Sequence, residues 1–152
     1  MTRWERWTFG AFVIAVAATG LAYFWMKYLL TPTDPFAVIN HPWQPLMLAA
    51  HVVASPALIL MFGILLRSHV LQKIDAPGIQ NRRSGLASFA GFFVMAASGY
   101  LLQVVTAEAL LKALVVVHIA SGALFAVAYL VHFVISVRLA RQAPAPRAMR
   151  TA

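Results

Sequence analysis

Long apolar runs separated by short polar segments dominate this chain. The four runs, at about 8–30, 46–67, 85–105 and 110–137, each last about 20 residues, the length that a helix needs to cross roughly 30 Å of hydrocarbon. Residues 1–137 are therefore predicted to form an all-α, integral membrane four-helix bundle. Residues 138–152 are predicted to be a basic, disordered tail, because proline, alanine and scattered arginine cannot build a core.

Composition supports lipid as the main solvent of this chain. Hydrophobic residues make up 62% of the 152 residues, and charged residues only 11%. Too few polar residues remain to cover a soluble globule. Cysteine is absent, which excludes disulfides, thiolate metal sites, iron–sulfur ligation and covalent c-type haem attachment. Histidine is then the most suitable metal ligand in the sequence.

The formal net charge of +8 indicates the orientation of the chain in the membrane and not nucleic-acid binding. The basic residues stand at the ends of apolar runs and form neither one face nor one tail, so no nucleic-acid partner is expected. Only Lys27 and Lys112 fall on one side of the predicted spans. By the positive-inside rule, both termini and the 68–84 loop are predicted to be cytoplasmic. The cytoplasmic set is Arg3, Arg6, Arg67, Lys73, Arg82, Arg83, Arg138, Arg141, Arg147 and Arg150.

Four histidines lie on the second and fourth spans, where the outer pair is matched in depth and the inner pair is less well matched. Both spans run from outside to inside, which places His51 and His118 at a similar depth, roughly 8 to 12 Å below the outer boundary. His132 follows His118 by 14 residues, nearly four turns, so both are predicted on one face about 21 Å apart. His69 follows His51 by 18 residues, or five turns, which also predicts one face, with about 27 Å of separation.

Ionisable residues at membrane depth are costly and usually mark a functional site. Two neutral imidazoles at one depth on neighbouring helices suit the axial ligands of a haem iron. Zinc usually needs further ligands at that level, and no acidic residue lies inside a span. We therefore predict haem b, two groups or at least one, with His51 and His118 at the outer level and His132 with His69 at the inner level. The alternative for each histidine is a hydrogen-bonded packing residue.

Other residues near the histidines are candidates for contact with the same cofactor. Gly122 shares the histidine face of the fourth span, and glycines on the third span leave room for a macrocycle. Small residues also serve plain helix packing in membranes. Arg67 is a candidate for pairing with a haem propionate, although the positive-inside bias alone explains its place. Pro56 is predicted to kink the second span.

The sequence resembles the small four-helix b-type cytochromes. The resemblance consists of the four spans, the histidines on spans two and four, and the H-x13-H arrangement in HIASGALFAVAYLVH. These cytochromes include the gamma-type membrane subunits of formate dehydrogenases and the flavinylation-associated cytochrome-like membrane domains. The resemblance covers about residues 8–137. This sequence departs from the family pattern on span two. In the family a second histidine follows about 14 residues after the first, and that position here is Leu65.

The resemblance implies a multi-pass protein of the bacterial inner membrane, acting in a respiratory chain. It implies an electron-transfer subunit, not a stand-alone enzyme, that carries electrons between the quinone pool and an extracytoplasmic redox protein. The family pattern assigns His51 and His118 to the outer haem iron, and His132 with a second-helix histidine to the inner one. Besides the lipid bilayer, the expected partners are other subunits of a membrane redox complex, and quinone is a further candidate ligand.

Two other classes of function remain open from the sequence. A haem-free structural or assembly subunit of a larger membrane complex would suit the small size of the chain. This alternative predicts that His51 and His118 can be replaced without loss of function. A small transporter or proton path is disfavoured, because the spans contain no carboxylate and the chain shows no internal repeat.

Overall fold

Four long helices form the part of the chain that the structure describes, with no strand among those residues. A computed structural model describes residues 2–32, 34, 36–72 and 82–142. All four helices are long and apolar enough to cross a membrane, so the predicted spans are confirmed as helices. Their assembly into one bundle and the cytoplasmic position of the termini stay predictions. The helices are α1 (Arg3–Phe24), α2 (Gln44–Leu65), α3 (Arg82–Leu101) and α4 (Glu108–Gln142).

The chain divides into two compact units between Pro77 and Gly78. In the first, α1 packs on α2, and in the second, α3 packs on α4. We call these units the first hairpin and the second hairpin and describe each by itself.

The helix ends differ from the predicted span ends at several places. Helix α4 continues to Gln142, so residues 138–142 are helical and the prediction of a disordered tail from residue 138 was wrong for these five. The rest of the predicted tail, residues 143–152, lies outside the described residues, as does most of the predicted 68–84 loop. Two helices also change character near their ends, because α1 continues as a π-helix over Trp25–Leu29 and α2 over Leu66–Leu71.

The start of α1 is set by a capping box. Thr2 accepts a hydrogen bond from the backbone N–H of Glu5, and the Glu5 carboxylate accepts one from the backbone N–H of Thr2, at 2.7 Å. Two N–H groups that have no partner within the helix are thereby satisfied.

The first hairpin buries a narrow stripe from each helix. Phe9 of α1 lies with its ring centroid 6.4 Å from that of Phe62 on α2. The other faces carry apolar side chains that stay exposed, such as Ile14 at 70% and Val53 at 76%. Exposed apolar faces around a thin packed seam are expected where lipid surrounds the protein. The buried stripe consists of Phe9, Val13 and Val16 on α1 with Leu58, Met61, Phe62 and Leu65 on α2.

The second hairpin depends on close backbone approach. A Cβ atom added to Gly91 of α3 would lie 3.5 Å from the backbone nitrogen of Phe125 on α4. Beside this contact, the Phe92 and Phe125 rings meet edge to face with centroids 5.5 Å apart. Close approach at small residues is a common means of packing helices in membranes. The packing alternative for the third-span glycines therefore holds at Gly91.

Pro56 lies inside α2, as predicted, and Ser55 reinforces its effect on the helix. The Ser55 hydroxyl donates to the backbone carbonyl of His51 at 2.6 Å. Proline removes one helical hydrogen bond, and serine bonded to the carbonyl four residues earlier also bends helices. A kink at this point stays a prediction.

Asn40 holds the segment between α1 and α2 against the end of the first helix through two hydrogen bonds. Its side-chain amide donates to the carbonyl oxygens of Lys27 at 2.9 Å and Leu30 at 3.0 Å, at the end of the π-helical segment. Carbonyl groups at a helix end have no partner within the helix, so these bonds satisfy them.

Replacing Asn40 by aspartate is expected to lower the free energy of unfolding by about 1–3 kcal/mol, because carboxylate oxygens would replace N–H donors opposite two carbonyls. Thermal unfolding of the purified protein in detergent measures the change. The exposed Thr31, replaced by alanine, is the control and should leave the midpoint unchanged. An unchanged midpoint for Asn40→Asp would show that the segment is held by other contacts.

Candidate functional site

His51 lies on α2 with its ring against α1 of the same hairpin. Its Nδ1 atom is 2.9 Å from the backbone carbonyl oxygen of Val16. The ring also covers Gly20, where an added Cβ atom would be only 2.9 Å from His51 Cε1. Any side chain at position 20 would therefore collide with the imidazole where it now lies.

His118 on α4 has the same arrangement against α3. Its Nδ1 atom lies 3.0 Å from the carbonyl oxygen of Met95 and 3.3 Å from the hydroxyl oxygen of Ser98. A Cβ atom added at Gly99 would be 2.8 Å from His118 Cε1. The imidazole is thus held by the backbone of α3 and fits the space that a missing side chain leaves.

His132 repeats the arrangement further along α4. Its Nδ1 atom is 3.3 Å from the Ser84 hydroxyl oxygen, and a Cβ atom at Gly85 would be 3.2 Å from its Cε1 atom. The step from His118 to His132 is 14 residues, and so is the step from Gly85 to Gly99. Because α3 and α4 are antiparallel, this equal spacing brings each histidine onto its own glycine.

The hydrogen bonds of His51 and His118 determine which ring nitrogen could bind a metal. A carbonyl oxygen only accepts, so Nδ1 must carry the hydrogen in both rings. The lone pair of a neutral imidazole then lies on Nε2. Histidines that bind metals usually donate their other N–H to a carbonyl or carboxylate in this way. Both residues therefore fit axial ligation of a haem iron through Nε2.

The structure places His69 in the π-helical segment Leu66–Leu71, half-buried and next to the exposed Arg67. A π-helix bonds residues five apart instead of four, so its turns are wider than α-turns. The expectation of five ideal α-turns between His51 and His69 was therefore wrong over the last residues. Ligation by His69, and pairing of Arg67 with a propionate, stay predictions.

Gly122 lies within the packing seam of the second hairpin. An added Cβ atom there would meet the side chain of Met95 at 3.8 Å, an ordinary contact distance. The buried neighbours Ser121 and Phe125 occupy the same seam. Contact between Gly122 and a cofactor stays a prediction, and the structure gives this glycine a packing role.

The role of Gly20 was not predicted from the sequence, and the third-span glycines were predicted to leave room for a macrocycle or to serve helix packing. The structure shows that Gly20, Gly85 and Gly99 make room for imidazole rings. A signal was present, because Ser–Gly pairs occur at 84–85 and 98–99 with the spacing of the two fourth-span histidines.

Among the described residues, no group of three or more His, Cys, Asp or Glu side chains gathers at a point that would hold a metal ion. Haem iron is bound by only one or two side chains, so the absence of such a group among these residues does not bear on haem binding. Comparison with protein-family models, curated proteins and solved structures finds no match for this chain.

Proposed function

We propose that this protein is a membrane b-type cytochrome that carries electrons across the bacterial inner membrane between the quinone pool and a redox partner subunit. In this proposal, His51 and His118 bind the outer haem iron. His132 binds the inner one, with His69 as the second ligand. The observation that supports it best is the Nδ1 contact of His51, His118 and His132 with the neighbouring helix of its own hairpin.

Energetic cost supports a functional role for these histidines. Polar side chains in a hydrocarbon span are expensive and are retained mainly where they serve a function. The Nδ1 contacts of His51 and His118 also define the tautomer that metal ligation requires. Cost and tautomer together favour ligation over packing alone.

The residues of the chain hold and orient the ligands. Val16 and Met95 accept the Nδ1–H bonds through their backbone carbonyl oxygens, which limits ring rotation and leaves the Nε2 lone pair available to a metal. Haem held by these histidines would supply one-electron transfer and would leave no position for a substrate. The exposed apolar faces of the helices suit lipid, and the basic residues near the predicted cytoplasmic ends suit the proposed orientation.

Haem content is the direct test of this proposal. Purified full-length protein, produced with an adequate haem supply, is expected to show a reduced-minus-oxidised spectrum of haem b. A pyridine haemochrome assay is expected to count two groups per chain. One group would keep the outer pair, His51 and His118, and leave His132 with a packing role. None would overturn the proposal in favour of a haem-free structural or assembly subunit.

A further inference from the structure

Each of the three histidines described above lies against a glycine that directly follows a hydroxyl residue on the neighbouring helix. We call these the hydroxyl–glycine pairs. An α-helix advances about 100° per residue, so the hydroxyl residue and the glycine are directed about 100° apart around the helix axis and border the imidazole from two sides. The pairs are Thr19–Gly20 for His51, Ser98–Gly99 for His118 and Ser84–Gly85 for His132.

Thr19 and Ser98 make matching hydrogen bonds on two different helices. The Ser98 hydroxyl oxygen lies 2.7 Å from the carbonyl oxygen of Val94 and 3.0 Å from that of Met95. The Thr19 hydroxyl oxygen lies 2.8 Å from the carbonyl oxygen of Ala15 and 3.1 Å from that of Val16. In both cases the second carbonyl is the one that the histidine Nδ1 atom contacts.

This recurrence has a physical explanation. A helical carbonyl already accepts the N–H of the residue four positions later, so the hydroxyl and the imidazole N–H share the second lone pair of the Val16 and Met95 oxygens. Each hydroxyl is closer to the preceding carbonyl, that of Ala15 or Val94, which leaves acceptor capacity for the imidazole N–H. Serine or threonine bonded back to a carbonyl bends the helix locally, and carbonyl groups that tilt outward are more open to other donors. The glycine that follows lets the imidazole approach closely enough to use the carbonyl.

We infer that Thr19 and Ser98 are positioning residues that support the Nδ1–H tautomer of His51 and His118 and tune them as ligands. Ser84 is inferred to position His132 through its direct contact with Nδ1. Their role toward iron rests on the proposed function, whereas the hydrogen bonds do not require a cofactor. A histidine that donates its Nδ1–H to an acceptor is a more basic ligand. Greater basicity favours the oxidised iron, so loss of a positioning hydroxyl is expected to raise the reduction potential of the haem that the histidine binds.

The hydrogen bonds are tested first in haem-free protein. Nitrogen-15 NMR of histidine-labelled full-length protein distinguishes Nδ1–H from Nε2–H rings, with His118→Leu used to assign the His118 signal. We expect His118 to be the Nδ1–H form, and Ser98→Ala to shift its ring nitrogens toward a mixture of forms. Ser98→Thr should restore the wild-type signal. A wild-type His118 with its hydrogen on Nε2 would overturn the inference.

Haem-loaded protein gives the second readout. Ser98→Ala is expected to raise the midpoint potential of one haem, change its low-spin electron paramagnetic resonance signal and weaken haem binding about tenfold. The matched control is Ser88→Ala on the same helix, whose hydroxyl donates to the Ser84 carbonyl at 3.0 Å. It should leave the three readouts unchanged for the haem that His118 binds.

The two readouts separate the inference from the proposed function. Haem-free wild type would overturn the proposed function alone, because the tautomer measurement still decides the role of Ser98. Wild type that binds haem, with Ser98→Ala equal to it in tautomer, potential and resonance signal, would overturn the inference alone.

Discussion

Replacing His118 by leucine is expected to remove one haem group per chain and to leave the protein folded. The substitution deletes the proposed axial ligand of the outer iron, and leucine suits an apolar span at least as well as imidazole. The partners of His118 on α3 keep other bonds, since Ser98 still donates to the Val94 carbonyl. Haem content by pyridine haemochrome, together with helical content by circular dichroism, measures the two effects separately.

The matched control for this variant is His41→Leu. His41 lies in the segment between α1 and α2, where its Nδ1 atom accepts the backbone N–H of Trp43 at 3.1 Å. It lies outside all four helices, so its replacement should leave the haem count unchanged. Full haem content in His118→Leu would contradict ligation by this residue. Full content in the double variant His51→Leu, His118→Leu would contradict ligation by either histidine.

Replacing Gly99 by alanine is expected to destabilise the second hairpin by about 1–3 kcal/mol, because the new methyl group cannot fit beside the imidazole. Its Cβ atom would lie 2.8 Å from His118 Cε1 and 3.2 Å from Nδ1. Either the ring must leave the Met95 carbonyl or the two helices must separate. Haem binding at His118 is expected to weaken at least about tenfold, as for the loss of other supporting contacts to a metal ligand.

A graded series of glycine variants gives this prediction its control. Gly63→Ala should have no adverse effect, because nothing lies within 4 Å of the added Cβ atom. Gly85→Ala, with 3.2 Å to His132 Cε1, should fall between Gly63→Ala and Gly99→Ala in both stability and haem content. If Gly99→Ala and Gly63→Ala behave alike, the close contact between His118 and α3 does not control ligand position.

Comparing stability with haem content across the glycine variants also distinguishes a packing role from ligation. Destabilisation by Gly99→Ala follows from the steric contact alone and is expected in haem-free protein as well. The discriminating result is a fall in haem content only in the Gly20→Ala, Gly85→Ala and Gly99→Ala variants, with content near wild type in Gly122→Ala. That result would show that haem binding depends on the position of the three imidazole rings. Gly122 faces Met95 at an ordinary contact distance, so a single methyl group should be tolerated there.

The histidines show how far the sequence could predict the candidate site. The shared face of His118 and His132 was readable from their 14-residue spacing, because rise and rotation per residue are constant along an α-helix. The same count went wrong at His69, where Leu66–Leu71 is π-helical. A change of helix type near a helix end depends on packing and on local hydrogen bonds, which a count of residues does not contain.

The sequence by itself determined four apolar helices and the positions of their histidines, because the length and composition of a segment decide whether it suits a lipid bilayer. It also contained the Ser–Gly pairs, but nothing in a single helix says which residue of another helix they meet. Only the tertiary structure decided that Gly99 faces His118 and that Met95 accepts its N–H. The physical reason is that the register between two helices is set by side-chain packing between distant segments, and a one-residue shift would exchange every one of these contacts.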